Sequence, residues 1–424
     1  MRICFVSRRY FPAISGMSIY AINLLRQLVA HGHDVTMISQ YRGDSFGRSV
    51  YGGGPPPPVP GVRVIGLEAL GEQDHGDFER DIDTLVATIQ QEHGRQPFDI
   101  LHAQYGYPTG WATLIASQRL GLPNVVSIQG GDGHWVGSCC STHLLAMQRV
   151  VAHAGALLIG GLSFAEEVSQ RLGCTIERFI FVPGAVDTGR FTPASAMENL
   201  LGARDAKSVN NLESAASAGR SQPVRLLYHG RVDARKGVLD FLHALALLAG
   251  PWQATISGIG PTLDAAKALA IQLGLEARIT FTGYADYEAV PEIYQSHDVF
   301  VSPTYAEGFS NTILEAMACG LAVLSCRSVG VVDCLRDGDN GLLIEAGDVT
   351  AQVDALSRLV TDAALRQRLA ATALEECRRV YSWQAVGRQI MGVYAGLAGS
   401  RPDENFDDAL PVSDCRFRRE PHLL

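Results

Sequence analysis

The stretch Tyr305-Ala-Glu-Gly-Phe-Ser-Asn-Thr-Ile-Leu-Glu-Ala-Met-Ala-Cys-Gly320 follows an apolar, strand-like run ending near Ser302 and opens a helix. Strand, short loop and helix in that order make one step of a parallel sheet covered by helices. Glu307 falls in the loop and Glu315 inside the helix. At a rise of about 1.5 Å per helical residue, the eight positions between them span at most roughly 12 Å. The backbone N–H groups of Phe309, Ser310, Asn311 and Thr312 lie at the helix start, a position that favours an anion such as a diphosphate. Ser310 is equally suited to capping the helix, and a glutamate in a first helical turn is ordinary.

Outward from this stretch the same step recurs. In the first half, strands are expected at Ile3 to Val6, Val35 to Ser39, Val62 to Gly66, Asp99 to Ala103, Val125 to Gln129, Ala156 to Gly160 and Phe179 to Val182. Between the first two, Ser18 to Ala30 sets Ile19, Ile22, Leu25 and Val29 at three- and four-residue spacing, with Gly32 as a helix stop. A second series starts at Val224 to His229 and continues through Ala254 to Ser257, Ile279 to Thr282, Val299 to Ser302, Ala322 to Ser325 and Leu342 to Ile344.

The pattern is that of an α/β chain with two doubly wound, Rossmann-like domains, 1–194 and 224–382. Residues 195–223 turn small and polar and read as a linker with a mobile insertion. Residues 383–398 read as a helix leaning back on the first domain, and 399–424 as a flexible polar tail. Two open parallel sheets predict a ligand beyond the carboxyl ends of their strands, in a crevice between the domains.

Composition narrows the function classes. A chain of 424 residues exceeds one ordinary core, and 47% hydrophobic with 19% charged residues is the balance of a soluble globular protein. No apolar run approaches the length of a membrane span, and no export signal is visible, so a cytoplasmic protein is expected. The formal net charge of −9 disfavours nucleic acid as a partner. The nine cysteines are odd in number and scattered without a C-x-x-C pair, which argues for reduced thiols and against a zinc site.

A second informative segment is His229-Gly-Arg-Val-Asp-Ala-Arg-Lys-Gly237, again a strand end leading into a helix. A diphosphate leaving group gains negative charge as its bond to a sugar breaks, so Arg231 and Lys236 beside it would stabilise the transition state. Arginine offers a forked donor and lysine a point charge. A solvated basic turn accounts for the same residues without a ligand.

Taken together, G-R-x-x-x-x-K-G, Ser257-Gly-Ile-Gly-Pro261, Phe281-Thr-Gly-Tyr284, the E-G-F-S-N-T-I-L-E run and Asp337-Gly-Asp-Asn-Gly-Leu-Leu343 resemble the retaining glycosyltransferases of family 4. The resemblance spans about residues 2–395 and implies a GT-B fold of two facing Rossmann-like domains. It implies that Glu315 binds ribose hydroxyls, Glu307 faces the donor sugar, and Arg231 and Lys236 hold the diphosphate. Main-chain groups of Phe309 to Thr312 would contact sugar and phosphate, and Tyr284 would lie near the base. Gly258 and Gly260 would let backbone approach the nucleotide closely.

The first domain matches the pattern less well. In Phe11-Pro-Ala-Ile-Ser-Gly-Met17 the family's Gly-Gly pair stands as Ser15-Gly16, and Gly16 retains the capacity to approach a phosphate. Gly32-His-Asp-Val and Asp99-Ile-Leu-His-Ala fit the family's strands, and Val182 to Pro193 its exit segment. In Ser127-Ile-Gln-Gly-Gly-Asp-Gly-His-Trp135, Gln129 and Asp132 stand where many members have His-Gly-x-Asp. Glutamine donates and accepts hydrogen bonds but is no acid or base near neutral pH. Either Gln129 only positions the sugar, with the leaving phosphate taking the acceptor's proton, or His134 supplies an imidazole.

Asp81-Ile-Asp83 and Asp337-Gly-Asp339 both spell D-x-D, but the first reads as the solvated face of a helix over Asp77 to Glu92 and the second as a turn. No metal and no cofactor are expected beyond the nucleotide sugar itself. Arg8, Arg9, Arg26, Arg42 and Arg48 put positive charge in the first domain, suited to an anionic acceptor, a peripheral membrane contact or ordinary surface. The expected partners are a UDP- or GDP-linked sugar donor and a small-molecule, glycan or lipid-linked acceptor. A sugar-nucleotide epimerase or phosphorylase on the same fold, or a donor-binding subunit with weak catalysis, are the alternatives. The oligomeric state is not legible.

Overall fold

The computed structural model describes residues 1–13, 15–45, 47–48, 53–130, 137–194, 222–402 and 407–419. Asp132, His134 and nearly all of the expected linker therefore lie outside the described residues. The chain divides into two compact units, Met1–Pro183 with Trp383–Leu424, and Gly184–Ser382.

Unit 1 is a parallel sheet of seven strands: β1 (Arg2–Ser7), β2 (Asp34–Tyr41), β3 (Val62–Glu68), β4 (Ile100–Gln104), β5 (Asn124–Ile128), β6 (Ala156–Ile159) and β7 (Phe179–Phe181). Their order is β3-β2-β1-β4-β5-β6-β7. Ile3 pairs with Val35 on one side and Ile100 on the other, so β1 is central, and Ile3 to Ser7 are all buried. Burial on both faces is why such strands read as unbroken apolar runs rather than as alternation. The principal helices are α1 (Gly16–Ala30), α2 (Leu70–Gln73), α3 (Phe78–Arg95), α4 (Trp111–Leu120), α5 (Ser141–His153) and α6 (Leu162–Leu172).

Unit 2 repeats the plan with β8 (Val224–His229), α7 (Val238–Leu247), β9 (Trp252–Ser257), α8 (Leu263–Gln272), β10 (Ile279–Gly283), α9 (Val290–Gln295), β11 (Val299–Ser302), α10 (Asn311–Ala318), β12 (Ala322–Cys326), β13 (Leu342–Ile344), α11 (Val349–Thr361) and α12 (Ala363–Val380). The order β10-β9-β8-β11-β12-β13 reverses direction between β8 and β11, the topological switch point where a doubly wound sheet opens a crevice at its strand ends. Apolar side chains pack on both faces of this sheet, Phe241, Leu242 and Leu356 in one core cluster and Phe300, Ile313 and Met317 in the other.

Every expected strand is present, with ends moved by at most two residues. The expected first-domain limit at 194 moves to 183. Gly184 onward packs with unit 2, where Val186 N–H donates to Tyr381 O at 2.8 Å and Phe191 is buried among its apolar residues. Helix α13 (Trp383–Leu397) belongs to unit 1, where Tyr394 Oη meets His102 Nδ1 at 2.5 Å and His102 Nε2 meets Ser127 Oγ at 2.8 Å. Burial lowers the His102 pKa to about 3, so this link between α13, β4 and β5 is made by a neutral imidazole.

Three expectations are corrected. Residues 407–419 of the presumed flexible tail are packed on unit 1, ending in a short helix α14 (Arg416–Arg419) whose Phe417 is fully buried. Its anchors are Arg418 on Glu79 at 2.8 Å and Ser413 N–H on Thr142 Oγ1 at 3.0 Å. Asp81 is buried rather than solvated, accepting the N–H groups of Gly71 and Glu72 at 2.8 and 2.7 Å, while Asp83 is exposed. The two do not converge, because residues two apart on a helix do not share a face. Arg8, Arg9 and Arg42 are buried around Glu72, at 2.9, 2.7 and 3.4 Å, and so form an internal ionic knot rather than surface charge. Arg26 and Arg48 are exposed.

Candidate functional site

In unit 2 the singled-out residues leave from the carboxyl ends of four adjacent strands. Arg231 and Lys236 follow β8, Gly258 and Gly260 follow β9, Tyr284 follows β10, and Glu307 to Glu315 follow β11. This row exists because each strand ends in a glycine or a turn that lets the chain reverse at once. Gly230 takes φ +132° and Gly237 φ +68°, and a Cβ on Gly237 would stand 2.0 Å from Pro303 O. The loops after β8 and β11 are thereby in backbone contact at the switch point.

Lys236 and Glu307 form an ion pair across that point, Nζ to Oε1, with both side chains partly exposed. The pair holds a cation at the mouth of the crevice and orients a carboxylate beside it. Asp233 organises the turn that carries Lys236 by accepting the Arg235 N–H at 3.0 Å. Arg231 reaches Asp233 across 3.5 Å with 65% of its side chain exposed, so its guanidinium is available to an incoming anion.

Gly258 and Gly260 are required by the chain's own packing. A Cβ on Gly258 would stand 1.8 Å from Gly230 O, and one on Gly260 2.3 Å from Val232 O. Their missing side chains let the β9 loop lie on the β8 loop, with Val232 N–H donating to Ile259 O at 2.9 Å. What approaches closely is the chain's own backbone. Tyr284 is 52% exposed at the end of the row.

Helix α10 begins at Asn311, with Ser310 in the N-cap position. The Ser310 hydroxyl does not cap the helix; it lies 3.2 Å from Thr312 Oγ1. The first N–H groups of α10 accordingly keep their positive end directed beyond the strand ends. Phe309 packs against Tyr381 and against Gly184, where a Cβ would stand 2.4 Å from the ring.

Glu315 is 9% exposed, within α10, and accepts the Tyr294 hydroxyl on Oε2 at 2.9 Å. Burial raises its pKa to about 7, against the opposing pull of the Tyr294 hydrogen bond and of Arg190. Tyr294 therefore occupies one position on Oε2, and Oε1 carries no such bond among the described residues. His229, nearby in sequence to Arg231, bonds Ser257 Oγ at 3.1 Å, and burial lowers its pKa to about 4. It is a structural neutral imidazole.

In unit 1 the equivalent switch point lies between β1 and β4, and the polar residue there was missed by sequence reading. Gln104, fully buried at the end of β4, accepts Ser7 Oγ at 2.9 Å and donates Nε2 to Met17 O at 3.0 Å and Gln129 Oε1 at 3.1 Å. It thus ties Gln129 to the start of α1. Ser15, in place of a family glycine, accepts the Ser18 N–H at 3.3 Å as N-cap of α1, which leaves Gly16 exposed as the first helical residue. A lone amide at the end of a buried apolar strand was the available signal for Gln104.

Comparison with known proteins bears on this arrangement. The family of glycosyl transferases group 1 matches residues 211–376, and the glycosyl transferase 4-like domain matches residues 15–185. D-inositol 3-phosphate glycosyltransferase of Stackebrandtia nassauensis is 28% identical over 406 residues, covering 89% of this chain and 86% of that protein. Sucrose-phosphate synthase from Thermosynechococcus elongatus has the same fold at a TM-score of 0.74, 20% identity, and coverage of 93% and 98% of the two chains. Anabaena HepE in complex with UDP gives a TM-score of 0.70 at 17% identity, covering 94% and 100%. With two Rossmann-like parallel sheets of this order and family matches along both, the chain belongs to the group 1 glycosyltransferases of GT-B fold.

Proposed function

We propose that the protein transfers a sugar, with retention of anomeric configuration, from a UDP- or GDP-linked donor to an acceptor hydroxyl. The observation that carries this reading is the Lys236–Glu307 ion pair spanning the unit 2 switch point, with Arg231 beside it and the start of α10 in the same row. A diphosphate fits that row because it meets two cations and a helix N-terminus together. Glu307, released from Lys236 as the diphosphate takes the lysine, is free to accept sugar hydroxyls. Glu315 lies eight residues further along, suited to the ribose. The charge on the departing diphosphate is met by Arg231 and Lys236, and no metal is needed to neutralise it.

Retention without a protein nucleophile follows from front-face attack, in which the leaving phosphate accepts the acceptor's proton. Gln129 then serves as a hydrogen-bonding residue held by Gln104. Gln129→His is expected to keep turnover within about threefold, since an imidazole nitrogen can accept the same Gln104 amide. Steady-state rates on the folded variant check this, and a folded but inactive Gln129→His protein would show that positioning is not the role.

Because a ligand that binds only the native state raises its stability, a thermal-shift screen of nucleoside diphosphate sugars identifies the donor. The inositol 3-phosphate named for the Stackebrandtia relative is the first acceptor to try with it. Proton NMR of the product then reports the anomeric configuration. An α-linked donor is expected to yield an α-linked product, and a β-linked product would overturn retention. The absence of His at position 129 favours one competing reading, a donor-binding subunit with weak catalysis. Tight nucleotide binding without transfer or donor hydrolysis would support that reading instead. None of the described helices is long and apolar enough to cross a membrane.

A further inference from the structure

The sequence argument against zinc rested on the missing C-x-x-C pair, but folding gathers four ligand types that sequence spacing keeps apart. Cys139 and Cys140 immediately precede α5, His143 is in its first turn, and Cys415 arrives from the C-terminal segment immediately before α14. One ligand atom from each, three Sγ and a His143 ring nitrogen, all lie within 4.8 Å of one another. His143 Nδ1 is 3.0 Å from Cys139 Sγ and 3.9 Å from Cys415 Sγ. Around one tetrahedral zinc with bonds of about 2.0–2.3 Å, ligand atoms stand roughly 3.3–3.8 Å apart, so shifts of about 1 Å or less bring the observed separations into that range.

The surroundings and the groups' own contacts hold them in place. Cys140 sits in the N-cap position of α5 and accepts the His143 N–H at 3.5 Å. The His143 ring is fully buried among Tyr107, Phe78 and Phe417, at centroid distances of 4.3, 5.8 and 6.2 Å. Its Nε2 has no hydrogen-bond partner among the described residues. Cys415 is buried, and its carbonyl accepts the Arg418 N–H at 3.1 Å. Arg418 supplies positive charge next to a centre that, as three thiolates on one divalent ion, would carry one net negative charge.

We propose that Cys139, Cys140, His143 and Cys415 bind one structural Zn²⁺, which clamps the C-terminal segment to the start of α5. Four protein ligands leave no open coordination position, so the ion is not a catalyst. Binding displaces the protons of the three thiols to solvent and leaves the imidazole neutral, with its proton on Nε2. Three thiolates and an imidazole select zinc over magnesium or calcium, which take oxygen ligands.

The test uses the full chain, purified in reductant with zinc and then freed of loose metal. Elemental analysis is expected to find about one zinc per chain, and cobalt exchanged into the site to give the thiolate charge-transfer and ligand-field bands of tetrahedral coordination. Cys415→Ser should lower bound zinc at least tenfold, while Cys174→Ser, outside the cluster, should retain it. Chelation should expose residues 407–414 to proteolysis. A folded chain that binds no zinc, an octahedral cobalt spectrum, unchanged zinc in Cys415→Ser, or a disulfide joining Cys415 to Cys139 or Cys140 in the metal-treated protein would each overturn the proposal. Should Cys415→Ser not fold, the cobalt spectrum of the unmodified chain still decides it.

Discussion

Arg231→Ala should lower turnover about a hundredfold while raising the donor KM less than tenfold. The asymmetry follows from when charge appears. In the bound donor the diphosphate charge is shared with the sugar bond, and only as that bond breaks does the bridging oxygen take up the extra negative charge. A guanidinium matched to that moment contributes about 3 kcal/mol to the barrier and less to ground-state binding. Removing it should leave the fold intact, because its contact with Asp233, at 3.5 Å and mostly in solvent, is of the kind that adds little to stability. Arg231→Lys should fall between the two, with the charge kept and the fork lost. Steady-state kinetics on protein of unchanged melting temperature make the measurement, and an effect confined to KM would assign Arg231 to uniform binding alone.

Glu315→Gln should make the protein more stable and its nucleotide binding weaker, both most clearly at alkaline pH. The folded-state pKa of about 7 lies above the ordinary carboxyl value of 4.5, so between these values the folded chain holds a proton that the unfolded chain releases. Stability therefore falls as pH rises from 4.5 to 7, and above 7 the full cost, about 3 kcal/mol, is present. Glutamine cannot ionise, keeps an acceptor for Tyr294 Oη, and removes that cost. Denaturation midpoints of the variant and the parent should nearly coincide at pH 5 and separate at pH 8, with the variant the more stable. Donor affinity should show the reverse. Ribose hydroxyls donate to the carboxylate, so affinity of the parent rises through pH 7, and the variant should bind UDP or GDP at least about tenfold more weakly at pH 8. Equal midpoints at both pH values together with unchanged titration of the nucleotide would remove Glu315 from the site.

The alternation of apolar runs and helical periods was enough to place every strand; central strands such as β1, buried on both faces, leave an unbroken apolar run, and edge strands such as β3 were placed by their position between helical periods. Lys236 and Glu307 were legible for a related reason, since each stands a few residues past a strand end and the ends of adjacent strands must gather. Other residues left no such mark. Tyr294 lies 21 positions before Glu315, and nothing in that spacing tells that its hydroxyl takes one carboxylate oxygen. The buried arginines looked like surface charge because their partner, Glu72, lies 63 and 64 residues away from Arg9 and Arg8.

By itself, then, the sequence determined the two doubly wound sheets, the strand-end loops and the residue types those loops carry, all of which depend on local period and on neighbours a few positions away. Only the tertiary structure decided which groups are already engaged: Glu315 by Tyr294, Lys236 by Glu307, Gln129 by Gln104, and Gly258 by the backbone at Gly230. It alone brought Cys415 to Cys139, Cys140 and His143 across more than 270 residues. Such contacts depend on how distant segments pack, and the short-range pattern of a chain carries no record of that distance.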